Sequence, residues 1–213
     1  MKKAAIWLTV LASVMALMAL AQDKATASGA KPADKKAGSE AGQNMFMVKP
    51  SPEMEKLSKM LVGTWSSTEK MEPASWAPKG ATGKGTAVFK KGPGGLSVVQ
   101  DYKSSGSMGS FTGHGVMWWD PKAGGFKSIW CDSGTPSGCG VSTGLAKFEG
   151  DNLVGTDEEE MMGKKVAMKN TWTDVTPNSF TFNMDSGPPG GEMKHSMTIK
   201  YTRVSATKAE AKP

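Results

Sequence analysis

The sequence predicts an all-β fold: an antiparallel meander of about ten strands closed into a barrel, with one short helix in front of it. Three observations carry this. After Gly63 the apolar residues recur at every second position, where before it they follow helical spacing. The alternating segments are short, and turns rich in Gly and Pro separate them, consistent with 26 Gly and 12 Pro in 213 residues. No later segment keeps a helical period long enough for a crossover helix, which excludes a βαβ fold. A meander with one apolar face must close or stack, and closure removes the exposed edges.

In chain order, residues 1–21 read as an export leader. Lys2 and Lys3 form its basic start, Ala4 to Leu20 its apolar body, and Ala19-Leu20-Ala21 a small-x-small cleavage site. A membrane-spanning helix is the competing reading, and the cleavage site favours the leader. Residues 22–50 are rich in Ala, Lys, Gly and Ser and read as a disordered spacer. Ser51-Pro52-Glu53 starts a helix, with Ser as the cap, Pro at the first helical position and an acid in the first turn. Met54, Leu57 and Leu61 form its apolar stripe, and it stops near Gly63.

Strands follow near Thr64–Thr68, Gly85–Lys91, Leu96–Lys103, Gly109–Trp119, Phe126–Cys131, Gly140–Phe148, Asn152–Asp157, Val166–Val175, Ser179–Asp185 and Met193–Val204. The hairpin Phe111–Cys131 has the clearest turn: Asp120-Pro121 opens it, Gly124-Gly125 closes it. Connections this short make sequence neighbours antiparallel neighbours. Residues 205–213 read as a loose tail, so the barrel domain spans 51–204.

Parity assigns the inner face. In the last strand Met193, His195, Met197, Ile199 and Tyr201 share the inner side. Phe126, Ser128 and Trp130 face in, as do Met168, Asn170 and Trp172, and Phe180, Phe182 and Met184. In Phe111–Trp119 both faces look buried, which leaves His114 unassigned.

The formal net charge is +6, and loss of Lys2 and Lys3 with the leader leaves +4. Much of the excess lies in the spacer and tail, and no basic patch is interleaved with aromatics, so nucleic-acid binding has no support. After the leader no run is apolar enough to span a bilayer, so no stable membrane insertion is expected. Cys131 and Cys139 are the only cysteines; in an exported chain they should pair, closing a loop worth about 2–3 kcal/mol.

Leu61-Val62-Gly63-Thr64-Trp65 places G-x-W at the first strand, after a short helix. In this it resembles lipocalin-like (calycin) barrels, where the Trp packs across the closed end. Phe111-Thr112-Gly113-His114-Gly115-Val116, Trp119-Asp120, Trp130-Cys131-Asp132-Ser133 and Tyr201-Thr202-Arg203 add to the likeness. Together they resemble a bacterial family, domain of unknown function 1579, itself lipocalin-like. The resemblance covers Ser51 to Val204 and implies structural roles for Gly63, Trp65 and Asp120. It implies no activity. The cysteine pair and the long spacer depart from the family's pattern.

Each chemical motif has a plainer explanation. Gly140-Val141-Ser142-Thr143-Gly144 matches G-x-S-x-G, but a nucleophile elbow needs a strand-to-helix turn, and this pentapeptide sits in a meander. An inward His195 between Met193 and Met197 could ligate haem iron; the plainer reading is a neutral buried His bonded to Asn170 or Asp132. The methionines read as core, with Met45 and Met47 in the spacer as the one cluster that suggests copper(I). Asp157 to Glu160 reads as a solvated hairpin loop.

The inward Trp130 and Trp172, with Ser128, Asn170, His195 and Met197 around them, describe a pocket for a small apolar or amphipathic molecule. They describe a filled core equally well. The sequence therefore predicts an exported, periplasmic or secreted, non-enzymatic binding barrel. A haem-binding barrel with His195 as axial ligand and a filled structural module stand as the alternatives.

Overall fold

A computed structural model describes residues 48–74, 77–161 and 163–204. The proposed leader, most of the proposed spacer with Met45 and Met47, and the tail lie outside the described residues.

Helix α1 is Pro52–Leu61. The Ser51 hydroxyl accepts from the Met54 amide (3.3 Å), and Met54, Leu57 and Leu61 are buried. Eleven strands follow: β1 Gly63–Met71, β2 Ala81–Lys91, β3 Ser97–Gly106, β4 Gly109–Asp120, β5 Gly125–Asp132, β6 Cys139–Val141, β7 Ala146–Glu149, β8 Asn152–Met161, β9 Lys164–Thr173, β10 Ser179–Gly187 and β11 Lys194–Arg203. Each pairs antiparallel with its neighbours, and β1 pairs with β11, so the sheet closes. β6 and β7 share one position beside β5, which makes a ten-stranded lipocalin-like barrel.

The expected strand Gly140–Phe148 is thus two pieces. Asp157 causes the break: its Oδ1 accepts from the amide and hydroxyl of Thr143 (2.8 and 2.7 Å) and from the Gly144 amide (3.4 Å). These bonds pull the chain off β5. Gly144 then lies against the Thr156 carbonyl, where a side chain would collide with backbone.

Beside α1 the barrel is closed by large side chains. Trp65, Phe89, Phe126, Leu153, Phe180 and Tyr201 are all buried against Met54, Leu57 and Leu61 of the helix. Phe180 meets Trp65 edge-on at 4.7 Å and stacks on Tyr201 at 4.3 Å. Such pairs add about 0.5–1.5 kcal/mol each beyond burial.

A latch holds this end. The Trp65 indole N–H donates to the Leu61 carbonyl (2.8 Å), and the Arg203 guanidinium lies 4.0 Å above the Trp65 ring. Arg203 also donates to the carbonyls of Val62 (2.9 Å) and Pro177 (2.6 Å). Gly63, at φ 144°, gives the guanidinium its room, since a Cβ there would overlap it.

Arg203→Leu should therefore cost about 1–3 kcal/mol, because it orphans two carbonyls and strips the Trp65 face. Urea unfolding should show a lower midpoint with an unchanged slope. Arg203→Lys should recover under half of the loss, since an ammonium cannot stack and fork at once.

Candidate functional site

The inner face grades from apolar beside α1 to polar at the far end. Moving away from the helix, β1 presents Trp65, Ser67 and Glu69 inward, and β8 presents Leu153, Gly155, Asp157 and Glu159. Beyond the aromatic plug Tyr102, Met168 and Ile199 are buried, whereas other inner side chains are only partly so, among them Met117, Trp130, Trp172, Phe182, Met184 and Met197. Inward yet partly exposed apolar groups mean that water reaches the lumen from the end opposite the helix. Ten strands enclose more space than eight. The result is a cup.

Trp130 forms part of the wall. Gly113 and Gly115 of β4 sit opposite Asp132 and Trp130 of β5, and the indole lies across both glycines. A Cβ on Gly115 would stand 2.9 Å from Trp130 Cε3, and one on Gly113 would overlap the ring. This explains the G-x-G around His114: the glycines face in and His114 faces out, bonded to Asp101 (2.8 Å).

Trp172 meets Phe182 edge-on at 4.9 Å. A void of about 40 Å³ borders the lumen where β5, β8 and β9 approach, lined by Met117, Ser128, Asp157, Asn170 and Trp172 among others. Asn170 Oδ1 is shut off from solvent and has no hydrogen-bond partner among the described residues. Across the lumen the buried Tyr102 hydroxyl bonds Ser67 (3.1 Å) and donates to Glu69. Burial, then the Glu69 contact, raises the Tyr102 pKa well above the ordinary phenol range.

Of the sequence-derived pocket residues, Ser128, Trp130, Asn170, Trp172 and Met197 share the lumen, and His195 does not. Parity puts His195 inward only if β11 is regular, and it is not. The register with β10 shifts between Met184 and Asp185, pairing Met184 with Met197 and Asp185 with His195. Ser196 is the extra residue, pinned because its hydroxyl donates to the Met184 carbonyl (2.8 Å). The bulge turns His195 to the outer surface, where Nδ1 meets Asp185 (2.9 Å) and Nε2 meets Thr198 (2.8 Å). An imidazole placed there cannot ligate a group inside the barrel, so the structural basis for a haem ligand is lost.

The series Asp185–His195–Thr198 has the order of a hydrolase relay, but the Thr198 hydroxyl donates to Asn183 Oδ1 (3.0 Å) rather than to the imidazole. The amides around it lie in a strand paired on both sides. The G-x-S-x-G pentapeptide spans the β6–β7 break, with no helix after it.

The run Asp157 to Glu160 lies in β8, not in a loop, and its odd members face the lumen. Asp120 instead holds the β4–β5 turn, accepting from the amides of Lys122 (2.9 Å) and Ala123 (3.1 Å) and pairing with Lys127 (2.6 Å). The Lys127 contact, helped by those amides, keeps its carboxyl below the usual range. Cys131 and Cys139 form the disulfide as directly paired residues, Cα atoms 3.9 Å apart, and tie β6 to β5.

A wider hollow of about 770 Å³ lies on the outer face of β2–β5, between Lys90, Lys103 and His114 and open to solvent. No helix of the described residues is long and apolar enough to cross a membrane.

Residues 49–203 match the family described as "Protein of unknown function (DUF1579)". The chain belongs to that family. No curated protein matches its sequence. Among solved structures it is similar to the S-type phycobiliprotein lyase CPES from Guillardia theta, at 12% identity and a TM-score of 0.52 over 72% of this chain and 94% of that one. It is also similar to Rv2717c from M. tuberculosis, at 14% identity and a TM-score of 0.52 over 74% and 100%. At such identities the likeness is one of fold.

Two outcomes follow for this family member. Gly113→Ala should cost about 1–3 kcal/mol by pushing Trp130 off the wall, seen as a lower melting temperature and a red-shifted tryptophan emission. Glu159 gives a pH signature. It stands at the rim, yet partial loss of hydration, then the charges of Asp157 and Asp132, hold its carboxyl above the ordinary range. A raised acid binds its proton more tightly when folded. Stability therefore falls as pH climbs from the unfolded pKa through the folded one. Glu159→Gln should melt higher than wild type at about pH 7 and level with it at about pH 3.

Proposed function

We propose that this protein is an exported, non-enzymatic barrel that binds one small apolar or amphipathic molecule in the cup. The observation that carries this reading is the partial exposure of Trp130, Trp172, Phe182 and Met197 on the inner face of a closed barrel. A core made only for stability would bury such surface, at about 25 cal/mol per Å². Here the burial is left for a ligand to complete. The aromatic plug beside α1 supports the same reading, because it makes the cup one-ended and anchors the walls.

Export is supported by the leader-like start of the sequence and by the disulfide, a bond that persists in oxidising compartments. The non-enzymatic reading is supported by the state of the two histidines. Both are on the outer face, each bonded to an aspartate, and neither adjoins a nucleophile with a free proton.

The neutral dye N-phenylnaphthylamine tests the cup. Its emission should rise on binding at one site per chain, and Met197→Trp, which fills the lumen, should weaken binding at least about tenfold (~1.4 kcal/mol). Native mass spectrometry of the protein from its own cells should show an added small mass. Unchanged dye binding in Met197→Trp, with no bound mass, would overturn the reading.

A further inference from the structure

We propose that Cys131–Cys139 is an exchange-active disulfide: a small anionic thiol enters the hollow on the outer face of β2–β5, gives its proton to His114 and attacks the Cys131 sulfur. This site is separate from the cup and needs no molecule inside it.

The first argument is placement. Asp101, His114, Cys131 and Cys139 form one row across four strands, each paired with the next. Because Gly113, Gly115 and Trp130 face in, His114 and Cys131 share the outer face. Directly paired antiparallel residues hold their Cβ atoms about 4.5–5.5 Å apart, within reach of an imidazole. Asp101, His114 and Cys131 together line the hollow of about 770 Å³, and Cys139 is exposed on β6 beyond it.

The second argument is the state of the imidazole. His114 Nδ1 donates to Asp101 Oδ1 (2.8 Å), which leaves the lone pair of the neutral ring on Nε2. Among the described residues nothing bonds that nitrogen, whereas His195 has both ring nitrogens engaged. His114 is thus set as a base beside a disulfide, with Asp101 as its positioning residue.

The third argument is charge. Two acids line the hollow. Asp101 is bound to His114, and Asp132 accepts from the amides of Gly134 and Thr135 (2.7 Å each) and from the Thr135 hydroxyl (2.9 Å). The charges left over among the described residues there are Lys90 and Lys103, both exposed. They favour a thiol that carries a carboxylate or sulfonate.

The chemistry balances with the thiol alone. Its proton goes to His114 Nε2, and its sulfur bonds Cys131 Sγ. The Cys131–Cys139 bond breaks, and Cys139 leaves with the electron pair and takes a proton from solvent. A second thiol attacks the mixed disulfide and frees Cys131. The protein disulfide is reduced, and two thiols are oxidised to their disulfide. The turn between the cysteines does not rely on the sulfurs: the Asp132 amide donates to the Gly138 carbonyl (2.9 Å), and the Gly138 amide to the Thr135 carbonyl (2.8 Å). The cysteines therefore stay placed for the reverse exchange.

The oxidised full chain, treated with 2-mercaptoethanesulfonate, 2-mercaptoethanol or cysteamine, alkylated and weighed by mass spectrometry, tests this. At about pH 7 His114→Gln should react with the sulfonate at least about tenfold more slowly than wild type. The gap should close at about pH 10, where a thiol ionises without a base. Asp101→Asn should slow the reaction with the same pH dependence. Corrected for each thiol's own acidity, the sulfonate should outpace 2-mercaptoethanol at least about threefold and cysteamine by more. Lys90→Ser combined with Lys103→Ser should remove that order. Equal rates for wild type and His114→Gln at pH 7, or a gap that persists at pH 10, would overturn the proposal. So would a sulfonate no faster than the neutral thiol.

Discussion

The stacking of Arg203 on Trp65 is the contact on which the rest depends. A barrel made from a meander has one seam that chain connectivity does not help to close, here β1 against β11. Trp65 and Arg203 face each other across that seam as paired residues. The indole is tied to the end of α1 and the guanidinium to the carbonyls of Val62 and Pro177. One cluster therefore fixes the helix, the first strand, the last strand and the β9–β10 turn. A partly buried cation over an indole is worth about 0.5–2 kcal/mol, and the bonds to carbonyls add to it.

That closure bounds where the proposed ligand can sit. With much of the aromatic surface spent beside α1, the far half of the barrel keeps inner side chains that are only partly buried. Its inward residues are small, polar or partly exposed, and its rim is made of the turns opposite the helix. In the proposed reading stability and binding are thus divided along the barrel axis, and the Asp157 break falls on the binding side.

Much of this was legible in the sequence, and the failures are instructive. Period-two alternation is a local signal, so it found the strands, the closed architecture and the inward faces of β5, β9 and β10. It failed in β11 because one extra residue reverses parity, and nothing in Lys194-His195-Ser196-Met197 marks the bulge. The Ser196 bond to Met184 that holds it joins residues from different strands. It failed again at Asp157–Glu160, where four acids look like solvent-facing loop. The β8–β9 ladder overrides composition and carries the run to Met161, with Asp157 and Glu159 turned inward. The glycines of Gly113-His114-Gly115 were visible as a motif, but their reason was not. It lies in the Trp130 ring, fifteen or more residues away and meaningful only once β4 and β5 are paired.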